Sequence, residues 1–208
     1  VMKLFLASSL DETISLLKPR LNKPIVDNRV LFIANAADPL ENPWWVDLDR
    51  KKFLDTGYKV IEIDLRKLPH EEFVKNLENS DIVHVCGGSV FYLLSVLKKN
   101  RFGEAIVKAV RDNKIIYTGT SAGSIVVSKS NEIYKNDPDE VKFADRVSDF
   151  SGLGLVDFII VPHCGKVDFI DANKAVVEHL PEFPYPMIFL HDNQAVYVSD
   201  GKLEILSK

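Results

Sequence analysis

The 208-residue chain predicts an α/β fold built on a mostly parallel sheet with helices on both faces. Two observations carry this expectation. Short β-rich apolar runs alternate with longer helical patterns, which is the order of successive βαβ units. Runs such as RVLFIANA (29–36) and DIVHVCGG (81–88) are also near-continuously apolar, as strands buried on both faces must be.

In chain order, strands are expected at Lys3–Ala7, Val30–Ala34, Lys59–Ile63, Ile82–Cys86 and Ile115–Thr118. Helices are expected between and after them, at Asp11–Leu17, Trp45–Thr56, His70–Asn76, Ser89–Lys98 and Gly103–Arg111. Beyond residue 130 the pattern changes. The stretch NEIYKNDPDEVKFADRVSDFSG is polar and aspartate-rich and reads as a long surface excursion, a kind of loop that is more often functional than accidental. Regular structure resumes at Phe158–Val161, followed by a helix over Asp168–His179. Apolar runs at Met187–Leu190, Ala195–Val198 and Leu203–Leu206 close the chain, and Asp200-Gly201 makes the last two a hairpin. With no repeat, linker or low-complexity tract, one domain is expected.

Composition narrows the function. A net charge of −4 argues against nucleic acid as the main partner, since phosphate binding needs a basic field. No run approaches the ~20 apolar residues of a membrane helix, and Leu4–Ala7 is too short for the core of a signal peptide. Two cysteines, Cys86 and Cys164, do not make a disulfide framework, so a cytoplasmic protein is expected.

The chemistry-bearing stretch is GTSAG (119–123), which fits the G-x-S-x-G nucleophile elbow. Its context is the required one, with KIIYT as a strand before it and AGSIVVSK as a helix start after it. A sharp strand-to-helix turn would project the Ser121 hydroxyl above the sheet, and the Ala122 N–H at the new helix's start would be free for an oxyanion. The bland alternative is a tight turn whose serine caps the helix. A nucleophilic serine needs a base, and the base needs an orienting acid. Of the five histidines, His84 lies within a strand and reads as core, while His70 and His179 sit among charges on helices. His163 closes DFIIVPH and emerges at a strand's C-terminal end, the edge where open α/β sheets bind ligands. His191, after MIFL, is similarly placed and competes with it.

Three ordered segments together resemble peptidase family S51, typified by aspartyl dipeptidase. VCGGSVFYLL (85–94) is similar to the family's Gly-Gly-Asn-Thr-aromatic/Gln-Leu-Leu segment, GTSAGS to its elbow, and GLGLVDFIIVPH (152–163) to its Leu-Gly-Leu strand leading to Pro-His. The resemblance implies a sandwich related to class I glutamine amidotransferases, flavodoxin-like in outline. It implies Ser121 as nucleophile, His163 as base, and Gly88 with Ala122 as the oxyanion donors. It places the acid on the loop between serine and histidine, about nine residues before the Leu-Gly-Leu glycine. Counting back from Gly154 reaches Asp145, with Asp149, Asp139 and Asp137 as alternatives. No cofactor or metal is implied, and the partner is a short peptide, with a monomer and a homodimer both open.

Two departures bear on specificity. Ser89 stands where the family has asparagine, and CGKVDFIDANK after His163 holds no arginine, leaving Lys166 as the nearest cation. An acidic P1 side chain wants a paired cation, preferably a bidentate arginine, so a preference for N-terminal aspartate is not expected. An α/β-hydrolase esterase shares the elbow, but the 42 residues from Ser121 to His163 are too few for its intervening βα units. A class I amidotransferase would need cysteine at the elbow. A binding protein that retains the pocket, with Trp44 and Trp45 toward a ligand, is the rival from another class.

Overall fold

The computed structural model describes residues 1–208. The elements in chain order are β1 (Lys3–Ala7), α1 (Leu10–Leu17), β2 (Arg29–Ile33), α2 (Trp44–Thr56), β3 (Lys59–Ile63), α3 (His70–Glu78), β4 (Ile82–Val85), α4 (Val90–Lys99), α5 (Phe102–Arg111) and β5 (Ile116–Thr120). The second half holds α6 (Ala122–Ile125), β6 (Ile159–Val161), α7 (Ile170–Glu178), β7 (Met187–Phe189), β8 (Gln194–Ser199) and β9 (Lys202–Ser207). Seven strands form the main sheet in the order β3-β2-β4-β5-β1-β8-β9. The first five run parallel, while β8 and β9 form the expected hairpin and add to β1 antiparallel.

Strand alternation sends side chains to two cores on opposite faces of the sheet. Leu4, Leu6, Leu31, Ile33, Val83, Val85 and Tyr117 join the larger core, under α3, α4, α5, α6 and α7. Phe5, Ala7, Val30, Phe32, Ile82 and Ile116 point the other way, into a smaller core with Leu10, Ile14 and Leu17 of α1 and Val46 and Phe53 of α2. The expected mostly parallel α/β sandwich with helices on both faces is the observed architecture. No helix is long and apolar enough to cross a membrane.

The run at Phe158–Val161 does not join the main sheet. Its strand β6 pairs in parallel with β7, matching Ile159 to Met187 and Val161 to Phe189. Backbone bonds continue the pairing past the strands, from Leu190 N–H to the Val161 carbonyl and from Cys164 N–H to the Leu190 carbonyl. The residues that follow these two strands are thereby held side by side.

The acidic excursion is ordered rather than loose. It contains two 3₁₀ turns, Glu132–Asn136 and Val141–Arg146, and its Tyr134 hydroxyl donates to the Ile160 carbonyl at 2.6 Å. Glu140, buried, accepts from the N–H groups of Val90 at 2.9 Å and Phe91 at 3.1 Å and from the Ser89 hydroxyl at 2.9 Å. The loop therefore ties itself to the first turn of α4.

Candidate active site

Ser121 sits between β5 and α6 with φ 51° and ψ −113°, a strained conformation for a residue with a side chain. The glycines around it show why the turn needs them. A Cβ on Gly119 would lie 2.5 Å from the Gly123 carbonyl, and one on Gly123 would lie 2.0 Å from the Val85 carbonyl. Strand β5, helix α6 and the end of β4 touch backbone to backbone, which only glycine permits. The Ser121 N–H donates to the Ala7 carbonyl at 3.1 Å and fixes the turn against β1. The elbow reading holds in its geometry, and the serine's side chain makes no helix cap.

The Ser121 hydroxyl lies 2.9 Å from His163 Nε2. On the other side of the ring, Nδ1 lies 2.7 Å from Asp192 Oδ1. Asp192 follows β7 as His163 follows β6, so the small parallel sheet sets their spacing. Ser8, just past β1, links them. Its hydroxyl donates to Asp192 Oδ1 at 2.9 Å and accepts the His163 N–H at 2.8 Å. That bond helps hold His163 at its unusual φ of 60°. Phe169 stacks on the imidazole, ring centroids 4.1 Å apart. The pair is mostly enclosed, His163 keeping 14% and Asp192 18% of its side-chain exposure. Burial alone would raise the Asp192 pKa. The hydrogen bond and charge of His163, with Ser8 and Lys166, outweigh it and hold the carboxyl at about 2.

Asp145, expected as the acid, is exposed in the second 3₁₀ turn, and no hydrogen bond joins it to His163. Asp192 takes the place expected for it. The alternatives fail as well, because Asp149 binds Lys98 at the surface and Asp137 and Asp139 stand elsewhere on the cleft wall. Asp192 lies after the histidine in sequence, outside the loop on which the acid was sought. Its signal in the sequence is the apolar run MIFL ending in His191-Asp192, a strand end like the one that presents His163. His191 itself is exposed.

Gly88 has φ 149°, and a Cβ there would lie 2.2 Å from the Ala36 carbonyl. Its N–H has no hydrogen-bond acceptor, and the Ala122 N–H, first in α6, has none within its helix. Gly87 packs against Ser121, its Cβ position 3.1 Å from Ser121 Cβ. Two free amides thus flank the serine, as an oxyanion hole requires. Trp45 supports this segment by donating its indole N–H to the Gly87 carbonyl at 3.0 Å, while Trp44 is 63% exposed.

These groups open onto a cleft of about 520 Å³. Its wall includes Asp49, Asp137, Asp139, Glu140, Asp168 and Asp192, against the cations Lys142 and Lys166. Lys166 is already engaged, 3.3 Å from Asp192 Oδ2. Burial pushes Glu140 up to about 7, against the lowering effect of the Val90 and Phe91 amides and the Ser89 hydroxyl. Cys86, fully buried, has its thiol pushed well above the ordinary range by burial, which removes it as a nucleophile.

The chain is similar to known peptidases. The profile of peptidase family S51 matches residues 4–206. An uncharacterized peptidase of Pasteurella multocida is 30% identical over 198 residues, 95% of this chain and 94% of that protein. Peptidase E of Streptomyces coelicolor is 40% identical over 125 residues, 58% of this chain and 49% of its own length. A crystal structure from Listeria monocytogenes, provisionally assigned to peptidase E, superposes with a TM-score of 0.90 at 24% identity. It covers 100% of this chain and 98% of that one, a likeness of fold. By sequence over nearly its whole length, the chain belongs to peptidase family S51 and is a serine-type peptidase.

Proposed function

We propose that the protein hydrolyses short peptides bearing a free N-terminus by acyl transfer through Ser121. The observation that carries this reading is the unbroken chain of hydrogen bonds from Ser121 through His163 to Asp192 beside two free amides. Ser121 Oγ attacks the peptide carbonyl while His163 Nε2 takes its proton. Asp192 accepts the Nδ1–H, fixing the tautomer and stabilising the imidazolium. The Gly88 and Ala122 N–H groups hold the oxyanion. His163 then protonates the departing amine, and water, deprotonated by the same nitrogen, releases the acyl group from Ser121.

The cleft supports the specificity reading. Its size suits a ligand of a few residues rather than a folded chain. Asp139 and Asp168 are the exposed carboxylates of its wall; they favour a free α-amino group over an acidic side chain, and Lys166 is committed to Asp192. Discrimination for aspartate at P1 is therefore weak or absent.

The test has two parts. A fluorophosphonate probe should label wild type at Ser121 and leave Ser121→Ala unlabelled, and an unlabelled wild type would favour a binding protein. Asp-Leu, Ala-Leu and Lys-Leu should then be cleaved with kcat/KM values within about 10²-fold of each other. A stronger preference for Asp-Leu would overturn the specificity reading and give Lys142 or Lys166 the P1 carboxylate.

A further inference from the structure

The smaller core contains a polar cluster that the peptidase chemistry does not use. His84 and Cys86 are two residues apart along β4 and its end, so both side chains leave the same face of the sheet. Asp49 of α2 comes down on them from the covering helix. All three are buried, with exposures of 0% for His84 and Cys86 and 2% for Asp49. One ligand atom from each lies within 4.8 Å of the others.

The internal bonding of this cluster is incomplete. His84 Nδ1 is held by the Thr118 hydroxyl at 2.9 Å, which orients the ring and turns Nε2 toward Asp49. Yet Nε2 and Asp49 Oδ2 are 3.5 Å apart, and both atoms are buried with no hydrogen-bond partner. The Thr120 hydroxyl, one step along the same face of β5 from Thr118, is buried and unpartnered as well. Unpaired polar atoms in an apolar core are costly, so a native cluster of them implies an occupant. Phe32 and Phe53 pack on the His84 ring at 5.3 Å and 4.9 Å between centroids, closing the site on its apolar sides. Arg50, 5.5 Å over the Phe32 ring, is already paired with Asp47 and Glu62 and does not serve as the counter-charge.

We propose that Asp49, His84 and Cys86 bind a divalent cation of the zinc class. The donor set, one thiolate, one imidazole and one carboxylate, is the mixed soft and borderline set that Zn²⁺ and Co²⁺ take and that Mg²⁺ and Ca²⁺ do not. Coordination at ~2.0–2.3 Å spaces ligand atoms about 3.3–3.7 Å apart, which His84 Nε2 and Asp49 Oδ2 already meet at 3.5 Å, while the three donors lie within 4.8 Å of one another. The Thr118 bond to the remote ring nitrogen is the outer support that metal-bound histidines have. Asp49 also lines the peptidase cleft, the side of the cluster nearest solvent. Bound there, the ion clamps α2 to β4 directly before Gly87 and Gly88, and Trp45, one turn before Asp49, already holds the Gly87 carbonyl. The site is separate from the Ser121 machinery and stands or falls independently of the peptide reading.

The experiment is Co²⁺ and Zn²⁺ titration of the full chain after chelator treatment, with the ion content counted and the Co²⁺ spectrum recorded. One equivalent per chain and a thiolate-to-cobalt charge-transfer band are expected. Cys86→Ser should lose the band and weaken Zn²⁺ binding by at least about 10-fold, while Cys164→Ser should keep both. If Cys86→Ser fails to fold, the wild-type spectrum still decides, because Co²⁺ bound without a thiolate band overturns the site. Absence of binding by folded wild type, or a band lost with Cys164→Ser instead, overturns it as well. The former outcome leaves buried water as the occupant.

Discussion

Two histidine–aspartate pairs stand in this molecule and have opposite surroundings. His163 and Asp192 lie past the ends of β6 and β7, 2.7 Å apart, with the far ring nitrogen on Ser121. His84 and Asp49 lie within the smaller core, 3.5 Å apart, with the far ring nitrogen on Thr118. The side chains are the same, so place decides their use. At the open edge of the strands, every polar atom of the pair finds a protein partner and one side of the ring is left for chemistry. In the middle of the sheet, the pair is shut away from substrate and two of its atoms stay unpaired.

The comparison breaks most sharply at the edge pair. Ser121→Ala and His163→Ala should each lower kcat/KM by at least about 10⁴-fold, and the double variant little further, since nucleophile and base act as a unit. Peptide kinetics with circular dichroism as a fold control checks this, and a His163→Ala enzyme of near-normal rate would remove His163 as the base. Next comes Asp192→Asn, which should cost about 10²- to 10⁴-fold in kcat through the wrong imidazole tautomer. Asp145→Asn under the same assay should be unchanged.

Stability effects come lower on the scale. Glu140 has its pKa raised to about 7 by burial, above its ordinary value, so the folded state favours the proton. Its contribution is fully present below about pH 4 and is lost as pH rises through about 7, up to about 3 kcal/mol. Urea midpoints followed from pH 5 to 8 should fall more steeply for wild type than for Glu140→Gln, and parallel curves would contradict the sign. At the core pair, His84→Gln should cost about 1–3 kcal/mol in urea unfolding, because it strips the Thr118 hydroxyl of its partner and the Phe32 and Phe53 rings of theirs. A change within about 0.5 kcal/mol would mean that the core pair is mere filler.

Much of this was legible in the sequence. The strands of the main sheet announced themselves through apolar runs bounded by turns, and the elbow through glycines whose crowding the structure explains atom by atom. His163 was legible because it ends a strand. Asp192 was not, for a physical reason. A catalytic acid is placed by which strand lies beside the histidine's strand, and the β6–β7 pairing is a long-range contact that leaves no local pattern. The partnership of Asp49 with His84 was hidden in the same way, since it depends on how α2 settles on β4. The excursion after residue 130 lines the cleft with Asp137, Asp139 and Lys142 and buries the Glu140 carboxylate, and none of its aspartates bonds to His163.

That carboxylate has an electrical consequence. A helix start normally offers an unopposed positive end to whatever anion approaches it. In α4 the first two amides are taken by Glu140 and the third by the Ser89 hydroxyl, so this end is insulated before a ligand arrives. A negative charge developing beside Gly88 meets single N–H dipoles at close range and little of the field of a ten-residue helix. The same insulation denies a docking point to a peptide's C-terminal carboxylate at α4.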